Sequence, residues 1–212
     1  MIDYLGILLE GLLVTFELSF IALGIGAILG LAAALARTYG HKSISYLANA
    51  YIELIRGTPL TVQLFIIYFG LPSLGLLFSP TFSAIVALGI NSGAYQAEYF
   101  RGAIESIGGG QMEAALSVGM SRPQAIVRVI LPQALRLALP SWSNEAAYLP
   151  KYSSVAFLVT VPELLAKAKV VIAENLKPLE VYVVVGLIYL VTIASLSKIL
   201  DVVYERYKFT VE

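Results

Sequence analysis

Charged side chains stand in stretches that are otherwise as apolar as a membrane interior. Glu53 and Arg56 are three residues apart, and Glu98 and Arg101 repeat that spacing. Residues three apart share one face of a helix, so we expect each pair to form a structural ion pair. Glu145 has no basic residue three or four positions away and must find a distant partner, water or a ligand. Because a charge at membrane depth is costly, Glu145 is the strongest candidate for a functional group.

Neutral polar side chains fall in the same apolar stretches. They are Gln63, Asn91, Ser92, Tyr95, Asn144, Ser153 and Ser154. Asn144 and Glu145 follow Pro140, where we expect the helix to break and its irregular backbone to face protein or a cavity. Each polar side chain alone could simply hold helices together, as such groups do in membranes. As a set they predict a polar site within the membrane.

Patterns for catalysis and metal binding are missing from the sequence. There is no GxxxxGK[ST] loop to cradle nucleotide phosphates and no cysteine for a thiolate metal site. The single histidine, His41, lies in a basic turn and is expected to be solvated. We therefore predict no catalytic site, no metal site and no cofactor bound by this chain.

The composition is that of a membrane protein. Hydrophobic residues make up 58% of the 212 residues and charged residues only 13%, which is not a soluble composition. The net charge of zero gives no indication of nucleic-acid binding. Long apolar stretches predict an all-α, polytopic protein with five transmembrane helices in one domain. The predicted spans are residues 5–36, 46–70, 81–104, 124–148 and 181–200.

The spans carry signals for packing and bending. Gly26 and Gly30 form a small-xxx-small pair that allows close helix contact in the first span. Pro59 is expected to kink the second span, and Pro132 and Pro140 to break the fourth.

A short helix over residues 161–174 is predicted between the last two spans. Thr160 and Glu163 have the capping-box spacing that starts a helix. Glu163 and Lys167 are four residues apart and are expected to pair on its surface.

The distribution of lysine and arginine predicts the orientation. With five spans and the N-terminus outside, nine of the 14 basic residues fall in inner segments and four in outer ones. Basic residues are enriched on the cytoplasmic side of membrane proteins. The segment 108–122 and the C-terminus are therefore predicted to be cytoplasmic.

The polar segment 108–122 is expected to fold as a short helix on that cytoplasmic side. Gly119 is placed to end the helix as a left-handed residue. Ser121 and Gln124 have the spacing of a capping box that starts the next helix. Ala114 and Ala115 give the short helix a low profile that could insert into a groove of another protein.

These motifs carry a family resemblance. The run Glu113-Ala114-Ala115, followed by Gly119 and by Leu-Pro-Gln-Ala at 131–134, resembles the EAA loop of ABC-importer permeases. The wider pattern resembles the polar amino-acid uptake branch of that family. Its motifs are Glu-Leu-Ile-Arg-Gly-Thr-Pro at 53–59, Ala-Glu-Tyr-Phe-Arg-Gly at 97–102 and Val-Pro-Glu-Leu at 161–164.

The resemblance implies a type I ABC-importer permease in a bacterial inner membrane, without catalysis of its own. It implies two partner ATPase subunits that bind ATP and Mg, a second permease that is identical or a close paralogue, and an extracytoplasmic solute-binding protein. Lipid surrounds the helices, and no nucleic acid is expected. The residues implied in ATPase coupling are Glu113, Ala114, Ala115, Gly119 and Arg122.

The resemblance also implies an amino-acid path beside the polar groups. Carboxylate, amide and hydroxyl groups suit both ends of a zwitterionic amino acid. The residues predicted to contact it are Glu53, Gln63, Asn91, Tyr95, Glu98, Asn144, Glu145, Ser153 and Ser154. Relatives commonly have Lys-Asp-Thr-Ser-Leu where this chain has Lys-Tyr-Ser-Ser-Val at 151–155, so no acidic role is expected at Tyr152.

The uncompensated carboxylates favour a cationic amino acid such as arginine, lysine or histidine, or a neutral polar one such as glutamine, over glutamate or aspartate. If Glu53 and Glu98 occupy the arginines, Glu17 and Glu145 leave an excess of negative charge, which attracts cations. Two alternatives to an ATP-driven importer remain open from the sequence. One is a secondary transporter or channel driven by an ion gradient, and the other is a purely structural membrane subunit.

Overall fold

Helices form the whole frame of the computed structural model, which describes residues 2–207. Their bounds are α1 Ile2–Tyr39, α2 Lys42–Arg56, α3 Leu60–Phe65, α4 Pro80–Ser106, α5 Gly109–Ser117, α6 Arg122–Ala125, α7 Leu131–Tyr152, α8 Leu164–Asn175 and α9 Pro178–Tyr207. A π-helical turn, Ile66–Gly70, extends α3, and a second one, Ile126–Ile130, joins α6 to α7.

The contact between α1 and α4 is the centre of the fold. The 38 residues of α1 make it about 57 Å long at 1.5 Å per residue. A Cβ atom on Gly26 would lie 2.5 Å from Gln96 Nε2, and one on Gly30 would lie 2.9 Å from the backbone nitrogen of Ala97. The predicted close approach at this glycine pair is confirmed, because any larger residue would push α4 away.

The second predicted span is broken rather than kinked. The helix stops at Arg56 and resumes at Leu60, and the axis turns by 104° between the two parts. Pro59 has no N–H group and disfavours helical angles at the residue before it, which ends α2. The break leaves carbonyl groups without helical donors, and Gln63 supplies them. Its Nε2 donates to the carbonyl oxygens of Ile55 at 2.7 Å and of Thr58 at 3.0 Å.

Replacing Gln63 by leucine is expected to destabilise the protein. The Thr58 carbonyl would lose its bond to Gln63, and the Ile55 carbonyl would keep only the longer bond from Thr58 Oγ1 at 3.4 Å. Leaving a buried polar group without its partner costs about 1–3 kcal/mol. Thermal unfolding of the purified chain in detergent should show a lower Tm for Gln63→Leu. The neighbouring change Val62→Leu is the control, since Val62 is exposed, and an equal loss in both variants would contradict this role.

The predicted break at Pro140 is wrong. The helix α7 runs without interruption from Leu131 to Tyr152, with Pro140 and Pro150 inside it. Membrane helices tolerate proline where neighbouring helices support the backbone. Buried Ala134 and Ala138 pack against α1 and α4 just before Pro140 and hold this part of α7 in place.

The helix α8 begins differently from its prediction. Thr160 adopts a left-handed backbone conformation with φ 67° and does not act as the cap. Glu163 is the N-cap itself, and its carboxylate accepts from the backbone nitrogen of Ala166 at 2.8 Å. The expected pair of Glu163 with Lys167 is also wrong, because Lys167 binds Glu10 of α1 at 3.0 Å.

Glu163 and Leu164 connect the start of α8 to α9 and α1. Burial raises the pKa of the Glu163 carboxyl, although the backbone donors of α8 act in the opposite direction. The hydroxyl of Tyr189 in α9 donates to the same carboxylate at 3.2 Å. The backbone nitrogen of Leu164 donates to Thr15 Oγ1 of α1, also at 3.2 Å. The motif at 161–164 therefore fixes α8 against α1 and α9.

Within residues 2–207, two helices are long and apolar enough to cross a membrane. They cover Tyr4–Tyr39 and Pro178–Arg206, and the bent pair of α2 and α3 would be a third if it is one span. The third and fourth predicted spans correspond to α4 and to α6 with α7. Both contain small and polar residues, which they bury against other helices. These residues make the two helices less apolar. The five-span topology therefore stays a prediction.

Candidate functional site

A cavity of about 480 Å³ lies where the break after α2 faces α4 and α7. Its lining residues are Arg56, Gly57, Thr58, Pro59, Leu60, Asn91, Tyr95, Tyr99, Glu145, Tyr148 and Tyr152. The break is what opens it, because a continuous helix would keep Gly57–Pro59 within its own backbone ladder. The cavity combines one carboxylate, one guanidinium, one amide and four phenol groups.

Glu145 is the acidic group of the cavity. Only 4% of the residue is exposed, and within residues 2–207 no basic side chain pairs with it. Ser92 Oγ donates to Oε1 at 2.7 Å, and the hydroxyl of Tyr99 donates to Oε2 at 3.3 Å. An ionised carboxylate has about four acceptor positions, so Glu145 can still accept from a ligand in the cavity. The expectation of a distant partner is confirmed, since both donors come from α4.

A buried relay orients these groups. The indole of Trp142 donates to Gln96 Oε1 at 2.9 Å. Gln96 Nε2 in turn donates to Ser92 Oγ, also at 2.9 Å, and this fixes the hydroxyl that serves Glu145. Gln96 is fully buried. Its position between Ser92 and Gly26 was not identified from the sequence.

Glu98 lies behind the cavity wall and binds three arginines. Arg101 Nη2 is 2.7 Å from its carboxylate, Arg37 of α1 forms a close ion pair with it, and Arg56 Nη1 is 3.9 Å away. The predicted pair of Glu98 with Arg101 is confirmed. The predicted pair of Arg56 with Glu53 is wrong, because Arg56 ends α2 and its side chain leaves that helix towards α4. Glu53 is exposed and forms no ion pair in the part of the chain that the structure describes.

Removing the charge of Glu98 is expected to destabilise the junction of α1, α2 and α4. Glu98→Gln would leave the partly buried guanidinium groups of Arg37 and Arg101 without their main counter-charge, at a cost of about 2–4 kcal/mol. The measurement is thermal unfolding in detergent.

Glu105→Gln is the matched control for this change. Glu105 also binds Arg101, but its side chain is 56% exposed, and such pairs contribute about 0–1 kcal/mol. Similar loss of stability in the two variants would show that Glu98 does not hold the junction.

The structure brings together three of the predicted substrate residues. Asn91, Tyr95 and Glu145 line the cavity. The six that lie outside its lining are Glu53, Gln63, Glu98, Asn144, Ser153 and Ser154. Asn144 is exposed beside Glu145, and the two serines donate to carbonyl groups of their own helix end. Gln63 contacts two lining residues: Asn91 donates to it at 3.1 Å, and its own Nε2 donates to Thr58.

Three of the four cavity tyrosines, Tyr99, Tyr148 and Tyr152, were missed, although their spacing gives a signal. Tyr95 and Tyr99 lie four apart on α4, and Tyr148 and Tyr152 lie four apart on α7. Each pair therefore shares a helix face with Asn91 or Glu145. Aromatic faces attract cations, and the Arg56 guanidinium already lies 5.3 Å from the centre of the Tyr95 ring.

The segment between α4 and α6 has the predicted local structure. Gly119 is left-handed with φ 86° and follows the end of α5. The backbone nitrogen of Met120 donates to the carbonyl of Ala115, and that of Gly119 to the carbonyl of Leu116. These two bonds form a Schellman motif. The capping box of Ser121 and Gln124 is also present, so two turns with fixed geometry hold α5.

Comparisons with known proteins agree with this architecture. Residues 26–209 match the sequence model of the family described as "binding-protein-dependent transport system inner membrane component". The chain is 41% identical to the glutamine transport system permease protein of Escherichia coli, covering 95% of this chain and 93% of the relative. It is also 41% identical to the nopaline transport system permease protein of Agrobacterium fabrum, with 86% and 80% covered. Among solved structures, an amino acid ABC transporter with histidines has 37% identity and a TM-score of 0.90, with 97% and 96% covered.

Proposed function

The chain belongs to the family of binding-protein-dependent transport system inner membrane components, and we propose that its cavity binds a cationic amino acid during import. It is the permease subunit of an ATP-driven ABC importer of amino acids. The two alternatives, an ion-gradient-driven transporter and a structural subunit, have no support from this family.

The buried carboxylate of Glu145 carries the proposal of a cationic substrate. It faces the cavity, it has no basic partner among residues 2–207, and four tyrosines surround the same space. A guanidinium or ammonium group there would gain a charge-assisted hydrogen bond and contact with aromatic faces. A glutamate substrate would bring a second carboxylate beside Glu145, which is unfavourable. The similar transporter solved with histidines adds support, since histidine can carry a positive side chain.

The helix α5 is the element proposed to bind the ATPase. It is nine residues long, begins after the positive-φ residue Gly108 and ends in the Schellman turn at Gly119. Its EAA run at 113–115 would sit in a groove of the ATPase, with Arg122 at the start of the next helix. Two ATPases carrying ATP and Mg would act on two permease chains, and a solute-binding protein would deliver the amino acid from the other side.

The proposed membrane arrangement has five spans in a bacterial inner membrane. Its N-terminus is outside and α5 is in the cytoplasm, as the distribution of basic residues favours. Only 6% of the most apolar stretch of the helix α9 is fully buried within this chain. Its exposed apolar side chains include Val183, Leu187, Leu190 and Val191. Lipid and the second permease are the partners that would cover it.

Co-purification from native membranes tests the proposed assembly. A tagged copy of the chain, extracted in mild detergent, should bring down an ABC ATPase, and the complex should hydrolyse ATP. The docking role of α5 would be contradicted if the chain were purified with bound lipid but no ATPase co-purified, even after crosslinking in the membrane. Substitutions at Gly119 and Glu113 locate the contact.

A further inference from the structure

Arg56 is the basic residue of the cavity lining and the most loosely held of the arginines around Glu98. Its nearest carboxylate oxygen is 3.9 Å away, against 2.7 Å for Arg101. Its side chain is 39% exposed, while those of Arg37 and Arg101 are 27% and 25% exposed. Glu98 is therefore already neutralised by the two tighter arginines, and Arg56 keeps donors for another acceptor.

The cavity presents opposite charges from two different elements. Arg56 comes from the end of α2, and Glu145 comes from α7. An α-amino acid carries the same two charges in one molecule. A guanidinium presents donors in a planar fork that matches a carboxylate, and such pairs are stronger than neutral hydrogen bonds.

We propose that Arg56 binds the α-carboxylate of the transported amino acid and so makes the cavity selective for molecules with a free carboxylate. This inference rests on the proposed function, in which Glu145 takes the cationic group. Tyr95 supports the guanidinium from one side through its ring. Glu98 is a positioning residue in this arrangement: it keeps Arg56 near the cavity without holding it in a short ion pair.

Arg56 also lies directly beside the break in the second span. Gly57 follows Arg56 directly, and the backbone of Gly57–Pro59 lines the same cavity. A carboxylate held by Arg56 therefore lies against the segment where α2 gives way to α3. Substrates without a carboxylate would leave this side of the cavity unfilled.

Binding of arginine and argininamide to the purified permease–ATPase complex tests the proposal. The amide keeps the side-chain guanidinium and the amino group but lacks the carboxylate. The solute-binding protein is omitted, because it would apply its own selection. Radiolabelled arginine is displaced with either compound, for the unmodified complex and for Arg56→Gln.

The unmodified complex should prefer arginine to its amide by about 10- to 100-fold, the usual value of a charge-assisted hydrogen bond. In Arg56→Gln, arginine should bind more weakly by about that factor, while argininamide should change by less than about 3-fold. Arg56→Lys should be intermediate, since it keeps the charge but not the fork. Arg37→Gln is the control, because it disturbs the arginines around Glu98 without removing a group from the cavity, and it should keep the preference.

Three results would overturn the proposal. One is an unchanged preference for arginine over argininamide in Arg56→Gln. Another is an equal loss of both compounds in Arg56→Gln and Arg37→Gln, which would mean that Arg56 acts only through the fold. The third is an unmodified complex that binds neither a cationic nor a neutral amino acid. If the unmodified complex binds glutamine but not arginine, the cationic preference alone fails, and glutamine with glutaminamide then tests Arg56 in the same way.

Discussion

Replacing Glu145 by glutamine is expected to weaken cationic substrates by about 1.5–3 kcal/mol, or about 10- to 150-fold. The amide keeps the shape of the side chain and one carbonyl oxygen, which can accept from one of the two hydroxyls of Ser92 and Tyr99. The other hydroxyl can accept from the amide nitrogen instead of donating. What is lost is the negative charge opposite the ammonium or guanidinium group. Neutral substrates such as glutamine should lose much less.

Uptake into proteoliposomes with the matched ATPase and binding protein measures this effect. The same binding protein is used with the variant and with the unmodified permease. The ratio of their uptake rates therefore reports the effect of the substitution in the permease alone. Asn144→Ala is the control, because Asn144 is adjacent in sequence but exposed and outside the cavity lining. Equal losses for arginine and glutamine in Glu145→Gln would refute a charge-specific role.

Replacing Gly119 by valine is expected to uncouple ATP hydrolysis from transport. Gly119 has φ 86°, and a β-branched residue in that region costs about 1–2 kcal/mol or more. The chain would leave the left-handed region, and the end of α5 would lose its two Schellman bonds. Because α5 is only nine residues long, its angle to α6 would change and the docked contact would be spoiled. Charge reversal in Glu113→Lys should weaken the same contact without altering the turn.

Insertion, uptake and substrate-stimulated ATP hydrolysis should be measured together for these variants. Both should insert normally, while uptake and stimulation fall in parallel. Gly110→Ala is the matched control, since Gly110 is an α5 glycine where an added Cβ would meet nothing within 4 Å. Stimulation that survives both Gly119→Val and Glu113→Lys would remove α5 as the coupling element.

Local signals predicted local structure well. The turn at Gly119 and the capping box of Ser121 were predictable because both depend on residues within four positions of each other. The isolation of Glu145 was also readable, since the absence of a local basic partner is a property of the sequence. Family motifs then supplied the fold and the class of transporter, which periodicity alone does not distinguish from other helical membrane proteins.

Contacts between distant helices were not predictable in the same way. Arg56 can reach Glu53 on its own helix or Glu98 on another, and only the packing of α2 against α4 decides between them. Pro59 and Pro140 are chemically identical, yet one ends a helix and the other does not. The difference lies in support: Gln63 stabilises a break at the first, while buried alanines keep α7 continuous at the second.

Direct binding of amino acids to the unmodified permease–ATPase complex, without the solute-binding protein, tests the central claim most directly. Equilibrium binding of radiolabelled arginine, glutamine and glutamate would be compared at one ionic strength. We predict that arginine binds most tightly, glutamine more weakly and glutamate least, because Glu145 attracts the cation and disfavours a second carboxylate. Glutamate binding as tightly as arginine would contradict a cavity built around Glu145 for cationic amino acids.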